Sequence, residues 1–258
     1  MDILASTIND FITDYMLSFM RISGLFAAMV GLSARTIPTP VRTLLAAFLT
    51  LMIVPIVPSV PIDDLVNLGT FLECIKQLII GIGIGFISMM VLNTFVLAGQ
   101  IVAMQTGLGF ASIVDPVNGI NVPSIGQFYL ILATLLFWLF DGHLIMLQMI
   151  VLSFQAFPIA DAWWGPEQFR EIAHWAGWMF VSAVTMSLAP IVSLLIVNLA
   201  FGVMTKAAPQ LNIFSLGFSI AQITGLAVIL LTLGNQVYHF QQQWRRAQDF
   251  MCQLLLTC

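Results

Sequence analysis

The sequence predicts an all-α, polytopic integral membrane protein made of tilted helices and helical hairpins. Two observations carry that prediction. Of the 258 residues, 60% are hydrophobic and only 8% charged, and mean hydropathy is +1.01. A soluble domain usually carries about 25% charged residues, so most of this exterior has to face lipid or other apolar protein. The apolar residues also gather in six blocks, at about 11–33, 41–60, 69–103, 128–157, 173–201 and 213–237. A membrane-spanning helix needs ~20 apolar residues, and inside lipid only a helix or a closed barrel satisfies its own backbone. Polytopic chains of this length normally form one unit, here 1–258.

Blocks one, two and six have the length of simple spans. In block one, Asp14 and Arg21 lie seven residues apart, two helical turns, and so on one face. Block three is too long: about 35 residues make a helix of ~50 Å against a hydrocarbon core of ~30 Å. It holds GIGIG at Gly81, Gly83 and Gly85, and glycine inside a helix costs about 1 kcal/mol relative to alanine. Close packing against another backbone, or a bend, is expected there. Glu73 and Lys76, three apart, can pair on one face. Arg21, Glu73 and Lys76 are costly toward lipid and are expected to be buried against other helices or subunits, in structural pairs rather than a substrate site.

Block four is interrupted by Asp141-Gly142-His143, and Asp-Gly is a turn signal. A long helix with a polar nick and a helical hairpin that never crosses are both open, and the hairpin is preferred. Asp141 and His143 can form an intramembrane proton relay or stand hydrated on a surface turn, which the glycine favours. The tail 238–258 mixes Tyr238, Trp244, Arg245 and Arg246 with a late apolar run, the pattern of an interfacial amphipathic helix or of an element that docks a partner.

The charges conflict with six simple spans. Cytoplasmic loops favour Lys and Arg. Arg35, Arg42 and Lys206 fall on one side by that count, whereas Arg245 and Arg246 fall on the other. Either one block is not a true span or the chain threads the membrane unconventionally.

Several function classes are excluded. Net charge is −4 with scattered basic residues, so nucleic-acid binding has no electrostatic footprint. There is no His-Glu-x-x-His helix, Walker loop or Gly-x-Ser-x-Gly elbow, so no enzyme, metal site or cofactor is expected. Cys74, Cys252 and Cys258 lack metal spacing and read as small apolar residues. The acidic start MDILASTIND has no basic n-region, which argues against a cleaved signal.

Four stretches carry a family resemblance. RISGLFAAMVGLSARTIPTPVRTLLAAFLT (21–50) places an arginine in an apolar helix, a Pro-x-Pro turn at Pro38 and Pro40, and Arg42 at the next helix. GQIVAMQTGLGFASIVDPVNGINVPSIGQFY (99–129) is the longest break in the apolar pattern. Asp141-Gly142-His143-Leu144 is the third, and LLIVNLAFGVMTKAAPQLNIFSLGF (194–218) the fourth. Together, in order and spacing over about 20–235, they resemble the FliR family, the R subunits of the flagellar type III protein-export gate. Small departures are Ser219 in place of proline, Gln100 in place of an acidic residue and Asp141 in place of asparagine.

The resemblance implies one copy of this chain among several P and Q subunits in a helical, cone-shaped assembly of the bacterial inner membrane and flagellar basal body. Much of that cone stands above the membrane plane. The large export-gate and switch-like membrane subunits would be further partners, and unfolded export proteins the cargo, driven by other components. It also implies that 104–126 is a pore plug, carried by Gly107, Gly109, Phe110, Ile113, Val114, Asp115, Pro116, Asn118, Gly119, Ile120 and Pro123. Composition fits: glycines permit alternative backbones, prolines limit them, and apolar side chains can exclude water from a narrow pore. Turns and subunit contacts would fall to Arg21, Arg35, Pro38, Pro40, Arg42, Glu73, Lys76, Asp141, His143, Lys206, Pro209, Gln210, Asn212 and Phe214. The T subunit of a virulence secretion system shares these features. A small-solute transporter with Asp141 and Glu73 as coupling sites lacks an inverted repeat, and an intramembrane enzyme lacks a nucleophile with its base.

Overall fold

The computed structural model describes residues 2–34, 37–57, 67–110, 112–114, 121–159, 163–207 and 213–255, with backbone alone at 2–10, 110, 112–114, 121–122, 213–216 and 218. Among the described residues seven α-helices carry the fold: α1 (Asp2–Ala28), α2 (Thr39–Ile53), α3 (Leu68–Thr106), α4 (Ser124–Leu139), α5 (Gly142–Ala156), α6 (Pro166–Ala207) and α7 (Ile213–Leu255). Two short strands, β1 (Ser112–Val114) and β2 (Asn121–Pro123), pair antiparallel in the connection from α3 to α4. Among the described residues four stretches are long and apolar enough to cross a membrane: Thr39–Ile56, Leu68–Thr106, Pro166–Ala207 and Ser219–Leu255. The pair α4–α5 makes a fifth if it counts as one span. The protein is thus an all-α polytopic membrane protein.

The chain divides into two compact units. The first takes Met1–Met90, Phe137–Trp175 and Arg246–Cys258. Its centre is the crossing of α1 and α3. A Cβ on Gly81 would overlap the Arg21 carbonyl, and one on Gly85 would lie 2.8 Å from the Leu25 carbonyl oxygen. Gly24 on α1 meets the Leu78 carbonyl in the same way. Gly81 and Gly85 are one turn apart, so their face of α3 lies backbone to backbone on α1. Gly83 points elsewhere and makes room for the buried ring of Trp164. Of the two outcomes expected for GIGIG, close packing is the one found, and α3 runs unbroken for 39 residues. Leu17, Ile22, Leu25, Ile80, Ile84 and Ile87 fill the rest of this core, each with no exposed surface.

α2 joins this unit through Tyr15, whose hydroxyl donates to the Ala47 carbonyl at 3.0 Å. It starts after Pro38, with proline in its first turn, where the missing N–H costs nothing. It gives way to the 3-10 turn Val54–Ile56 at Pro55. α4 and α5 meet at a bend of 65°. Block four is therefore broken where Asp-Gly-His predicts, at a bend that fits a broken span or a re-entrant loop.

The second unit takes Val91–Leu136 and Ala176–Arg245. Phe95 packs on Phe240 at 5.8 Å, and Gln243 Nε2 donates to Ser182 Oγ at 2.7 Å. Pro190 sits inside α6 and removes one of its backbone hydrogen bonds.

Two readings of the tail and cysteines change. The tail is no separate interfacial helix: α7 continues through Ser219 and the tail to Leu255. Phe240, Trp244, Ala247 and Met251 form a buried stripe at helical spacing, so the amphipathic face is covered by protein. Cys74 is a free thiol, but Cys252 is disulfide-bonded.

Burial is uneven. In the most apolar window of α3, 67% is buried, against 17% for Thr39–Ile56, 33% for α6 and 22% for α7. α3 is a core helix, and the other three turn apolar side chains outward to lipid or to further subunits.

Candidate functional site: the connection between α3 and α4

α3 ends at Thr106 because the next residue is Gly107 at φ +76°, a left-handed conformation that glycine adopts without strain. Its N–H still reaches the Met104 carbonyl at 3.4 Å. A 3-10 turn, Leu108–Phe110, follows, and it folds back so far that a Cβ on Gly109 would lie 2.6 Å from Met104 Sδ. β1 and β2 then pair with Ser112 opposite Pro123, Ile113 opposite Val122 and Val114 opposite Asn121. Ile113 and Val114 thus lie on β1, and Pro123 closes β2 directly before α4. Asp115, Pro116, Asn118, Gly119 and Ile120 fall outside the described residues. Sequence reading expected irregular backbone here and missed the ribbon.

The two ends of this connection are held tightly. α3 and α4 touch through Gly99 and Gly126: a Cβ on Gly99 would lie 2.7 Å from the Gly126 Cα. Thr106 is buried and donates its hydroxyl to the Ala103 carbonyl at 3.0 Å. Its methyl fills the space over Gly225 of α7, leaving no room for a Cβ there. From α6, the Ser187 hydroxyl reaches the Ala98 carbonyl at 3.2 Å. From α7, Gln236 Nε2 donates to the buried Tyr129 hydroxyl at 3.4 Å. α6 and α7 therefore grip the last turns of α3 and the first turns of α4. By contrast, a two-stranded ribbon of three-residue strands is marginal alone. The described part of the site is a short ribbon rooted in a firmly packed frame.

The other expected residues fall into local groups. Arg42 Nη2 donates to the carbonyls of Ala34 and Ile37, the latter at 3.1 Å, and so closes the turn that Pro38 and Pro40 lead into α2. Arg35 falls outside the described residues. Glu73 and Lys76 pair at 3.0 Å. Arg21 is fully buried, with Nε 2.6 Å from Gln77 Oε1, and Gln77 Nε2 reaches Glu73 Oε1 at 2.7 Å. The structure thus joins Arg21, Glu73 and Lys76 through Gln77, which spacing alone did not single out, although it stands one turn from Glu73.

Asp141 is exposed and takes φ +53°, a left-handed conformation that aspartate and asparagine tolerate better than other side chains. Its carbonyl accepts from the N–H groups of Leu144 and Ile145. His143 lies over Trp138 at 4.6 Å. That is the geometry of a helix-to-helix turn, and the exposure of Asp141 argues against a buried relay. Lys206 is exposed in the last turn of α6, where a cation complements the helix dipole. Pro209, Gln210 and Asn212 fall outside the described residues, and Phe214 is described by backbone only, in the first turn of α7.

Comparison with known proteins adds the following. The chain matches the family described as bacterial export proteins, family 1, over residues 12–247. It is 32% identical over 226 residues to the flagellar biosynthetic protein FliR of Pectobacterium carotovorum, covering 87% of this chain and 85% of that one. It is 31% identical to FliR of Escherichia coli K12, over 83% of this chain and 82% of that one. To FliR of Bacillus subtilis it is 30% identical, over 88% and 89%.

Proposed function

The chain belongs to family 1 of the bacterial export proteins, and from that premise we propose that it is the R-type core subunit of a flagellar type III export gate, closed at rest by its own 104–126 segment. It sits in the inner membrane at the flagellar basal body, one copy among several P-type and Q-type subunits in a cone-shaped channel. The large export-gate and switch-like membrane subunits of the same apparatus adjoin it. Unfolded flagellar proteins pass through the cone to the outside, and energy comes from other components.

The observation that carries the plug reading is the contrast between segment and frame. A channel closure has to change conformation while the wall around it does not. The ribbon of β1 and β2, entered through Gly107 at φ +76°, can rearrange at small cost. The frame cannot, because Gly99 and Gly126 meet backbone to backbone and the Thr106 methyl fills the space over Gly225. Irregular backbone at membrane depth is tolerated only inside protein or beside a watery cavity, and a channel axis supplies such a place. The outward apolar faces of α2, α6 and α7 are surfaces that neighbouring subunits and lipid cover.

The test is a purification. The full chain, tagged, is expressed with and without its P-like and Q-like neighbours, extracted in mild detergent and weighed by native mass spectrometry. The expected product is a large hetero-oligomer with a single copy of this chain. A well-behaved species that ignores those neighbours contradicts the assignment.

A further inference from the structure

The apolar blocks retain Arg21, Glu73 and Lys76, and their geometry is not that of a simple ion pair. Arg21 lies in α1 with no exposed surface. Its Nη1 donates to the Ser153 carbonyl at 2.8 Å and to Ser153 Oγ at 3.2 Å, and its Nη2 to the Phe157 carbonyl at 2.8 Å. The guanidinium also lies 4.2 Å from the centroid of the Phe154 ring. Ser153 is in the last turn of α5 and Phe157 is its C-cap residue. The Ser153 carbonyl already accepts the Phe157 N–H at 2.9 Å and takes the arginine as a second donor, whereas the Phe157 carbonyl lies past the last turn of the helix; both residues are buried, away from water. A cation at that end also meets the negative pole of the helix.

The third donor, Nε, goes to Gln77 Oε1 at 2.6 Å. The amide of Gln77 then passes the contact on, donating to Glu73 Oε1 at 2.7 Å. Gln77 is fully buried and Glu73 is 7% exposed, whereas the Lys76 side chain is 40% exposed. A partly solvated pair such as Glu73–Lys76 contributes little. Removing a partner from a buried arginine costs much more, because the charge is then left buried without its hydrogen bond or counter-charge.

We propose that Arg21, Gln77 and Glu73 act as one clamp that fixes α5 on α1 and α3: Arg21 caps the buried end of α5, and Glu73 supplies the counter-charge through Gln77. Lys76 is an accessory. The clamp lies within the first unit and does not depend on the gate reading.

Amide hydrogen exchange on the full chain in detergent tests it. In Gln77→Leu and in Glu73→Gln, the amides of the α5 end, residues 153–157, exchange about tenfold faster or more. Those around Gln236 in α7 do not change, which separates loss of the clamp from general loosening. Lys76→Met leaves the α5 end at the wild-type rate. Adding Gln77→Glu to Glu73→Gln keeps the same charges, moves the carboxylate next to Arg21, and restores slow exchange. Where a single variant yields no folded chain, recovery of yield by the exchanged pair is the equivalent readout. An α5 end indifferent to Gln77→Leu, equally sensitive to Lys76→Met, or not restored by the exchanged pair overturns the clamp.

Discussion

Deleting residues 110–120 makes membranes that carry the assembled gate leaky to small ions. The deletion removes Phe110, Ile113, Val114 and Ile120, the apolar side chains able to close a narrow pore by excluding water. It leaves the frame in place. Gly99 and Gly126 stay in contact, and Thr106 remains seated on Gly225, so the shortened chain still assembles with its partners. The leak is read as dissipation of the membrane potential in cells or vesicles holding the complex, compared with the intact chain at equal abundance. Export of flagellar proteins persists in the variant. Unchanged leak together with unchanged export removes the plug from the account.

Gly81→Leu destabilises the chain by about 3 kcal/mol, and the gate fails to accumulate. At Gly81 even a methyl group would overlap the Arg21 carbonyl, so α1 and α3 must move apart. Moving them also pulls Arg21 from Gln77 and from the α5 end, so the loss is not confined to packing. Natural domains are stable by only about 5–15 kcal/mol. Gly177 is the control. It is also inside a helix, but apart from its own stretch of helix no atom lies within 4 Å of its would-be Cβ. Gly177→Ala should gain up to about 1 kcal/mol from helix propensity. Melting temperatures of the two variants in detergent give the comparison, and equal losses at both positions contradict the packing argument.

The existence of the helices was legible because each contains an apolar run, but their lengths were not. α6 begins at Pro166 and α7 ends at Leu255, well past the apolar blocks, because their outer turns are polar and hydropathy does not register them. The buried stripe of Phe240, Trp244, Ala247 and Met251 was present in the sequence at helical spacing. What covers it was not, so an interfacial helix was the natural reading. GIGIG announced close packing or a bend, yet nothing local says which, or that the neighbour is Arg21.

The same limit governs the polar residues. Spacing shows partners three, four or seven residues away on one helix, and Glu73 with Lys76 was visible in that way. Arg21 bonds to residues 56, 132 and 136 positions distant, which no periodicity reveals. In the 104–126 segment the glycines and prolines marked a break in the helices. Strands of three residues are too short to leave an alternating pattern, so the ribbon stayed hidden.

The most direct test of the gate account places a photo-crosslinking residue at Val114 in the segment and, separately, at Leu231, which is 82% exposed on α7. Export is stalled with a substrate that carries a folded block, and the adducts are identified by mass. The account predicts substrate adducts from position 114 and none from position 231. Adducts of substrate from neither position, with the stalled complex intact, would contradict it.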